Sequence, residues 1–599
     1  MQLPDYAPFD PAQRQALASL LATMTPQQAS WLSGFVAGAQ TAGQGAAAAP
    51  APASAPAPAA KRELTVLFGT ESGNSEALAD QTAKLGKKNG FKVKTRNMSE
   101  TKAQDLAAVE NLLVVVSTWG DGDPPEAAIG FYEDLMGEQA PALDGLHFSV
   151  CALGDTAYEQ FCETGKRIDE RLEKLGGQRV HARQDCDVEY EEPWKAWVQP
   201  ALDGFPQTAA PSQSVPAPTT SSTFVVEAAP LAPPPAPVYD KKNPWPAELL
   251  EKVNLNGTGS AKETWHYEFS LEDSGLRYEP GDALAVLPEN RPEDVEDLLI
   301  AGKFESGLAA DLRTKYDITN LSQSLVSKYN ELAGSSKLSR LLDPKKKDEL
   351  KSWLHGRQII DLLQEFPIAG LTGKQFTGLL RKLQPRLYSI ASSLKAHEDE
   401  VHLTVASVRY TTHGRDRVGV ASTYLADRVQ SGDRVPVYFH QNKNFRLPEN
   451  PETPIIMVGP GTGIAPFRAF MEERVATKAS GQNWLFFGDQ RYSYDFLYQL
   501  EWQEYFAEGQ LHKLSTAFSR DQKHKIYVQD RMKEEAAELY RWLEEGAYFY
   551  VCGDASRMAK DVHQTLLGII ESQGGHTRNE AEAYLKALRQ EKRYQRDVY

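Results

Sequence analysis

The stretch Pro454-Ile-Ile-Met-Val-Gly-Pro-Gly-Thr-Gly-Ile-Ala-Pro-Phe-Arg468 predicts a strand, a tight turn and a helix in immediate succession. Its first, apolar part is typical of a buried strand, its glycines of a turn, and Pro466 of the first turn of a helix. Glycines let a backbone approach a pyrophosphate closely, and the N–H groups of a helix start add partial positive charge. Ile464 stands where the commonest dinucleotide fingerprint has its third glycine, so an ordinary glycine turn stays open as the alternative.

The composition describes a long and acidic chain. Its 599 residues correspond to roughly three or four domains at about 150 residues each. The net charge of −16 argues against nucleic acid or an anionic membrane as a partner and favours a basic docking partner. No C-x-x-C pair occurs among the four cysteines, so we expect no metal site and no disulfide framework. Because no apolar run of membrane-spanning length and no signal-peptide pattern is found, we expect a soluble, cytoplasmic protein.

Two low-complexity stretches, at 43–62 and 204–238, are rich in alanine and proline and are interpreted as linkers. Before the first of them, residues 1–42 carry apolar side chains at helical spacing, among them Leu17 and Trp31. A helical segment of this size cannot bury such side chains alone. We therefore expect it to pack on a copy of itself, giving a homo-oligomer, or on another domain.

Residues 63–203 alternate strand and helix. The runs 64–68, 112–116 and 148–153 are short and apolar, and each ends in a polar loop with glycine. This pattern is typical of a doubly wound parallel sheet, in which ligands bind at the carboxyl ends of the strands. We therefore expect the three loops to converge on one site.

The three loops fit flavin mononucleotide (FMN). The first, Thr70-Glu-Ser-Gly-Asn-Ser75, offers hydroxyls and a helix start to a phosphate dianion. The next two present Trp119 and Tyr158, and a planar isoalloxazine ring needs flat apolar faces of this kind. The predicted FMN-binding residues are Thr70, Glu71, Ser72, Gly73, Asn74, Ser75, Ser117, Thr118, Trp119, Gly120, Leu153, Gly154, Asp155, Tyr158, Phe161 and Cys162.

Residues 239–448 change to short β-rich runs such as 263–269 and 401–406, which predict an antiparallel barrel. A helical insert interrupts it at about 290–383, with predicted helices at 292–301, 321–332, 346–354 and 374–383.

Within the barrel region, Arg386-Leu-Tyr-Ser-Ile390 and Gly419-Val-Ala-Ser-Thr423 resemble the flavin adenine dinucleotide (FAD) motifs of the ferredoxin–NADP reductase superfamily. They precede the Gly459 turn, in the order that this superfamily has. With the FMN loops upstream, the chain resembles the diflavin reductase family. The resemblance implies a flavodoxin-like α/β FMN domain at 63–203, an FAD-binding barrel at 239–448 with its connecting insert, and a ferredoxin-reductase-type α/β NADPH domain at 449–599.

The resemblance also implies the remaining site residues. For FAD they are Arg386, Leu387, Tyr388, Ser389, Thr404, Val405, Ala406, Tyr410, Gly419, Val420, Ala421 and Ser422. For NADPH they are Gly461, Thr462, Ser519, Arg520, Lys525, Tyr527, Gln529 and Asp561. Two cations in this second set favour NADPH over NADH, since a 2′-phosphate needs cationic partners. The resemblance also implies that Ser389, Cys552 and Asp597 surround the hydride path. It implies that Tyr599 covers the flavin and acts as a gate.

The implied function is electron supply. Electrons would pass from NADPH to FAD, to FMN and then to a separate hemoprotein subunit, with siroheme and an iron–sulfur cluster, that reduces sulfite to sulfide for cysteine biosynthesis. Two alternatives stay open: a soluble reductase for a cytochrome monooxygenase, and a flavin-carrying scaffold whose redox turnover is incidental.

Overall fold

The computed structural model describes residues 62–70, 73–119, 122–125, 128–155, 160–187, 190–206, 239–555 and 557–599, all within one unit, Lys61–Tyr599. The predicted helical segment at 1–42 lies outside the described residues, as does nearly all of both linkers. So do four predicted FMN-binding residues, Glu71, Ser72, Gly120 and Tyr158.

The first sheet is parallel and confirms the doubly wound pattern. Its strands follow the order β2-β1-β3-β4-β5, and β6 also pairs with β4. Both faces of the central strands β1, β3 and β4 are buried under helices, which is why these three strands are almost continuously apolar. The elements are β1 Glu63–Gly69, α1 Asn74–Lys88, β2 Lys92–Asn97, β3 Asn111–Ser117, α2 Ile129–Met136, β4 His147–Leu153, α3 Glu163–Lys174, β5 Gln178–Arg179, β6 Gln184–Cys186 and α4 Glu191–Asp203.

The second sheet is antiparallel, in the order β10-β9-β14-β7-β8-β11, as expected for the barrel. A bridge between Ile390, which follows β10, and Leu403 in the middle of β11 connects the two outer strands, and the inward side chains form one core. The elements are β7 Trp245–Asn254, β8 Thr264–Ser270, β9 Ala283–Val286, β10 Arg386–Ser389, β11 Glu400–Ala406 and β14 Arg434–His440, with a separate hairpin of β12 Arg409–Thr412 and β13 Arg415–Val418.

The helical insert has a hydrophobic core of its own. Its helices are α5 Pro292–Gly302, α6 Ala309–Thr314, α7 Gln323–Ala333, α8 Ser336–Leu341, α9 Lys347–Leu354, α10 Ile359–Glu365 and α11 Gly373–Thr377. The prediction of a helix over 374–383 was wrong beyond Thr377. There the chain becomes extended because Lys382 forms an antiparallel bridge with Tyr316, a pairing that helical periodicity cannot reveal.

The third sheet is parallel, in the order β17-β16-β15-β18-β19. It contains β15 Ile455–Val458, β16 Asn483–Asp489, β17 Lys513–Phe518, β18 Tyr548–Gly553 and β19 Tyr594–Val598. Around it, and between it and the barrel, lie α12 Val420–Thr423, α13 Ala465–Ala476, α14 Tyr492–Asp495, α15 Gln499–Ala507, α16 Val528–Glu534, α17 Ala536–Glu544, α18 Met558–Gly574 and α19 Arg578–Gln590.

The central pair of strands in this sheet explains the glycine turn of the opening stretch. Because β15 pairs with β18, the turn after Val458 lies against the end of β18. A Cβ on Gly463 would lie 2.1 Å from the carbonyl oxygen of Cys552, so only glycine fits there. Among the residues that the structure describes, no helix combines the length and apolarity needed to cross a lipid bilayer.

Candidate flavin and nucleotide sites

The phosphate loop after β1 contains buried hydroxyls that have no protein partner. Thr70 Oγ1 and Ser75 Oγ are both buried, and neither forms a hydrogen bond with a described residue. Gly73 precedes α1 with a φ of +72°, a conformation that side-chain-bearing residues rarely adopt. Unpaired hydroxyls at the start of a 15-residue helix are what the oxygens of a phosphate would satisfy.

The next two loops lie beside it at the same edge of the sheet. Trp119 Nε1 is likewise buried without a partner among the described residues. Thr118 accepts a 3.1 Å hydrogen bond from the N–H of Thr164, and its own N–H donates to the carbonyl of Leu153. Ser117 Oγ is 3.5 Å from the carbonyl of Gly69, so this hydroxyl ties the second loop to the first strand. The loops therefore converge as the parallel-sheet pattern requires.

Other predicted FMN-binding residues form contacts with other residues of the protein. Cys162 is fully buried at a φ of +56°, and its thiol donates to the carbonyl of Ala152. A Cβ on Gly154 would lie 2.7 Å from the N of Cys162 and 3.0 Å from the ring of Phe161, so these three residues pack against each other. Asp155 forms an ion pair with Arg381 of the insert. Asn74 accepts a 3.1 Å hydrogen bond from Tyr190.

The predicted FAD strand presents large side chains to solvent. Leu387 is 37% exposed and the neighbouring Arg386 is exposed as well, and Tyr410 on the separate hairpin is 46% exposed. Exposed apolar side chains that flank a cation offer flat contacts to a flavin and charge to its pyrophosphate. Tyr388 and Ser389 lie half-buried at the inner end of the strand.

Other predicted FAD residues are engaged within the protein. The hydroxyl of Thr404 shares a 2.6 Å hydrogen bond with Tyr498, and Val405 lies in the barrel core. Ser422 accepts from the N–H of Val408 at 3.1 Å, which closes the turn at Gly419. Ala406, Val420 and Ala421 are half-buried and leave part of their surface open.

The predicted hydride residues converge. Ser389 Oγ donates a 2.6 Å hydrogen bond to Asp597 Oδ2, and Cys552 Sγ lies 3.7 Å from the same oxygen. Asp597 is the strand partner of Cys552 in the β18–β19 pairing, which brings these two together. Burial raises the pKa of Asp597, while the bonds from Ser389 and Cys552 oppose that rise. Burial also raises the pKa of the Cys552 thiol, so the sulfur stays protonated and is a poor nucleophile.

Tyr599 follows β19 and contacts both the glycine turn and the end of β18. Tyr599 is 48% exposed, and its hydroxyl shares a 2.9 Å hydrogen bond with Thr462 of the glycine turn. Its N–H donates to the carbonyl of Gly553, and its carbonyl accepts from the N–H of Ala555. The ring is thus held at the junction between the glycine turn and the end of β18.

A lysine that the sequence did not single out lies next to the glycine turn. Lys262 Nζ donates to both carboxylate oxygens of Asp489 at 2.7 Å. A Cβ on Gly461 would lie 3.6 Å from Lys262 Nζ and 3.9 Å from the Asp489 carboxylate, so both groups border the turn. Lys262 comes from the barrel, about 200 residues before the turn, and no local motif marks it.

The predicted 2′-phosphate residues form an open cationic surface. Arg520 and Lys525 are exposed, and neither has an ion-pair partner among the described residues. Ser519 Oγ donates to the carbonyl of Asp489 at 3.3 Å, and Tyr527 is 42% exposed. Arg491, which lies in none of the sequence motifs, is a further exposed cation after β16. Gln529 and Asp561 contact each other at 3.4 Å at the edge of the surface.

Comparison with protein families agrees with this order of sites. The flavodoxin model matches residues 66–197, the FAD binding domain model matches 237–307 and 308–424, and the oxidoreductase NAD-binding domain model matches 457–564.

Curated relatives match the chain over its whole length. The sulfite reductase (NADPH) flavoprotein alpha-component of Bacillus subtilis is 48% identical, with 99% of each chain covered. The proteins of the same description from Aliivibrio fischeri and Serratia proteamaculans are each 42% identical, with 99% of this chain and 98% of theirs covered. The chain therefore belongs to the diflavin reductase family, among the sulfite reductase (NADPH) flavoprotein alpha-components.

Proposed function

We propose that this protein supplies electrons for the reduction of sulfite to sulfide, taking them from NADPH and passing them through FAD and FMN to a hemoprotein partner. The proposal is supported by the names of relatives that span the whole chain and by the order of the three matched domain models. The partner would carry siroheme and an iron–sulfur cluster, as the resemblance to the diflavin reductases of sulfite reduction implies.

The observation that carries the proposal is the cluster of Ser389, Cys552 and Asp597. When bound, the flavin and nicotinamide supply the hydride chemistry. The Asp597 carboxylate offers negative charge where positive charge develops on a nicotinamide, and Ser389 fixes the orientation of that carboxylate. The Cys552 thiol lies against the same carboxylate and stays protonated, because burial raises its pKa. None of the three needs to act as a nucleophile, because positioning and charge balance are sufficient for hydride transfer.

At the FMN site, the role of the chain would be to bind the cofactor. The unpaired hydroxyls of Thr70 and Ser75 and the start of α1 would hold the FMN phosphate, and Trp119 would border the ring. Glu71, Ser72, Gly120 and Tyr158 remain proposed FMN residues from the sequence, together with the other predicted residues of the three loops.

For the NADPH end, Gly461 and Thr462 would hold the pyrophosphate, with Lys262 beside them. Arg520 and Lys525 would hold the 2′-phosphate, since free cations are the partners that this dianion requires. Tyr599 would cover the flavin until a nicotinamide displaces it.

We also propose a cytoplasmic location and a homo-oligomer formed through residues 1–42. All four cysteines are free and buried, as a reducing compartment allows. For the oligomer the support is the sequence pattern alone. Removal of residues 1–52 should give a smaller assembly by light scattering that still reduces artificial acceptors. An unchanged mass would refute the oligomer proposal.

Three measurements on the purified full-length chain test the function. Extraction should release FMN and FAD in equal amounts, and NADPH should drive cytochrome c reduction. With a siroheme hemoprotein added, NADPH oxidation should yield sulfide. Cytochrome c reduction without sulfide release would favour a monooxygenase reductase, and a flavin-replete protein that does not turn over would favour a scaffold.

A further inference from the structure

The arginine that ends the opening stretch does not face the nucleotide turn. Arg468 lies in the first turn of α13 and is only 7% exposed. One terminal nitrogen, Nη1, donates to the carbonyl of Ala391 at 2.8 Å, contacts His402 Nδ1 at 3.2 Å and lies 2.8 Å from Glu472 Oε1. Its Nε donates to Glu501 at 2.7 Å. The guanidinium therefore joins the helix that follows the glycine turn to two residues of the barrel.

Ala391 and His402 are both close to β10, the strand that carries Ser389: Ala391 follows it in the chain, and His402 lies on β11, which is bridged to the end of β10. Ala391 is the second residue after Ser389, and its N–H donates to the carbonyl of His402 at 2.8 Å. Two further side chains of α13 hold the same segment. Glu472 accepts from the N–H of Ser393 at 2.8 Å, and Glu473 accepts from the Ser393 hydroxyl at 2.5 Å. The segment that continues the flavin strand is thus fixed to the helix that continues the nucleotide turn.

The hydrogen bonds define the chemical state of His402. An arginine has no acceptor, so Nδ1 must be the acceptor in its contact with Arg468. The proton of the neutral ring is then on Nε2, which donates to Glu400 at 3.1 Å. Burial and the nearby guanidinium both lower the pKa of His402, in agreement with a neutral ring. Ligand atoms of His266, Glu268 and His402 lie within 4.8 Å of one another, but His402 has no free lone pair to give to a metal.

We propose that Arg468 and His402 are positioning residues that set the distance between the nicotinamide and the flavin. The guanidinium fixes the turn that carries Gly461 and Thr462 relative to the strand that carries Ser389, and His402 supplies the acceptor from the barrel sheet that, beside the carboxylates of Glu472 and Glu501, orients the guanidinium. This inference rests on the proposed function. Loss of the contact should slow hydride transfer and leave nucleotide affinity intact, because neither side chain touches the proposed nucleotide surface.

The experiment compares two substitutions of His402 in the full-length, flavin-replete protein. His402→Leu removes the acceptor. His402→Gln keeps an amide oxygen for Arg468 and an amide N–H for Glu400. Flavin reduction by NADPH is followed in a single turnover, with protiated and with 4R-deuterated NADPH, and NADP⁺ affinity is measured by titration. His413→Gln, an exposed barrel histidine hydrogen-bonded to the carbonyl of His355, is the control.

For His402→Leu we expect flavin reduction to slow about tenfold or more, with a larger deuterium isotope effect and unchanged NADP⁺ affinity. His402→Gln should recover most of the rate. Equal rates in wild type and His402→Leu, a parallel loss of NADP⁺ affinity, or a His402→Gln variant as slow as His402→Leu would each overturn the inference.

If His402→Leu does not retain FAD, Arg468→Lys serves the same purpose, since a single ammonium cannot replace both Nη1, which contacts Ala391 and His402, and Nε, which donates to Glu501. It should show the same slowing, and a wild-type rate would overturn the inference. A wild-type protein that NADPH does not reduce would instead refute the proposed function, so the two failures are distinguishable.

Discussion

Ser389 donates a 2.6 Å hydrogen bond to Asp597, although 208 residues separate the two positions in the chain. Ser389 ends a barrel strand, and Asp597 lies on the last strand of the third sheet. The bond therefore crosses between the two sheets whose proposed ligands, FAD and NADPH, must exchange a hydride. Its geometry makes the hydride site a property of the assembled fold.

Replacing Ser389 with alanine should slow flavin reduction by NADPH. The Asp597 carboxylate loses its short donor and its fixed orientation, for which we expect a roughly 10- to 100-fold decrease in rate. Stopped-flow absorbance of the flavin is the measurement, with NADP⁺ affinity determined in parallel. Ser270→Ala, on a barrel strand away from the cluster, is the control. A variant that reduces its flavin at the wild-type rate would contradict the role proposed for Ser389.

Replacing Arg520 and Lys525 with alanine should weaken NADPH much more than NADH. A charge-assisted hydrogen bond contributes roughly 1.5–3 kcal/mol, so each loss should raise the KM for NADPH about tenfold or more. The KM for NADH should hardly change, because NADH has no 2′-phosphate. Lys523→Ala, an exposed lysine of the same loop, is the matched control. Equal losses for both nucleotides would show that the phosphate binds elsewhere.

Replacing Tyr599 with alanine should tighten NADP⁺ binding several-fold, because the nicotinamide no longer has to displace a ring that covers the flavin. Tyr599→Phe separates this effect from the hydroxyl, which bonds Thr462. If the ring is the gate, the phenylalanine variant should resemble wild type. Titration of both variants with NADP⁺ checks the expectation, and weaker binding by Tyr599→Ala would count against a gate.

Ion pairs join the first sheet's domain to the rest with a uniform polarity. The acidic partners Glu76, Asp134 and Asp155 lie in the flavodoxin-like part, and the basic partners are Lys443, Lys586 and Arg381. Pairs at such a partly exposed surface contribute on the order of 1 kcal/mol each and weaken with salt.

Reversing one of these pairs tests that contact. Lys586→Glu should slow electron transfer from FAD to FMN by repelling Asp134, and the added change Asp134→Lys should restore much of the rate. Flash or stopped-flow kinetics of the full-length protein at low salt is the measurement. A double variant as slow as Lys586→Glu would show that this pair does not form in solution.

The stability of the barrel and nucleotide half should depend on His397 in a defined pH window. Its hydrogen bond with Glu472 raises the pKa of His397 above the ordinary value of 6.5. The contribution is therefore fully present below about pH 6.5 and is lost as the pH rises through the raised pKa. The difference in Tm between wild type and His397→Gln should shrink as the pH is raised from about 6 to about 9.

His413→Gln, the same exposed barrel histidine used above, should show no such trend. A stability difference that grows with pH would mean that the partner of His397 is not a carboxylate.

Much of the fold follows from local pattern. The apolar runs around Leu112 and Ile455 predict buried strands of α/β domains, and the β-rich run 263–269 predicts a strand of an antiparallel barrel; both predictions are confirmed. The end of α11 was mispredicted because Lys382 pairs with Tyr316, 66 positions earlier, and pairing at that distance leaves no local signal.

Some residues of the candidate site could likewise be predicted from local sequence, and others could not. Gly459 to Gly463 could be assigned to a phosphate turn because glycine spacing is a local property. Lys262 and Arg491 could not be predicted as site residues, since a lysine or arginine outside a motif is typical of a solvated surface charge. The inward direction of Arg468 was equally hidden, although the residue lies inside the quoted stretch.

The sequence by itself determined the order of the sheets, the glycine turns and the chemical type of each loop, because strand periodicity and turn chemistry act over a few residues. The tertiary structure alone decided which side chains meet: Ser389 with Asp597, Lys262 with the glycine turn, and Arg468 with His402. Those contacts depend on how separate sheets pack, and packing selects partners by shape and hydrogen-bond geometry across hundreds of residues.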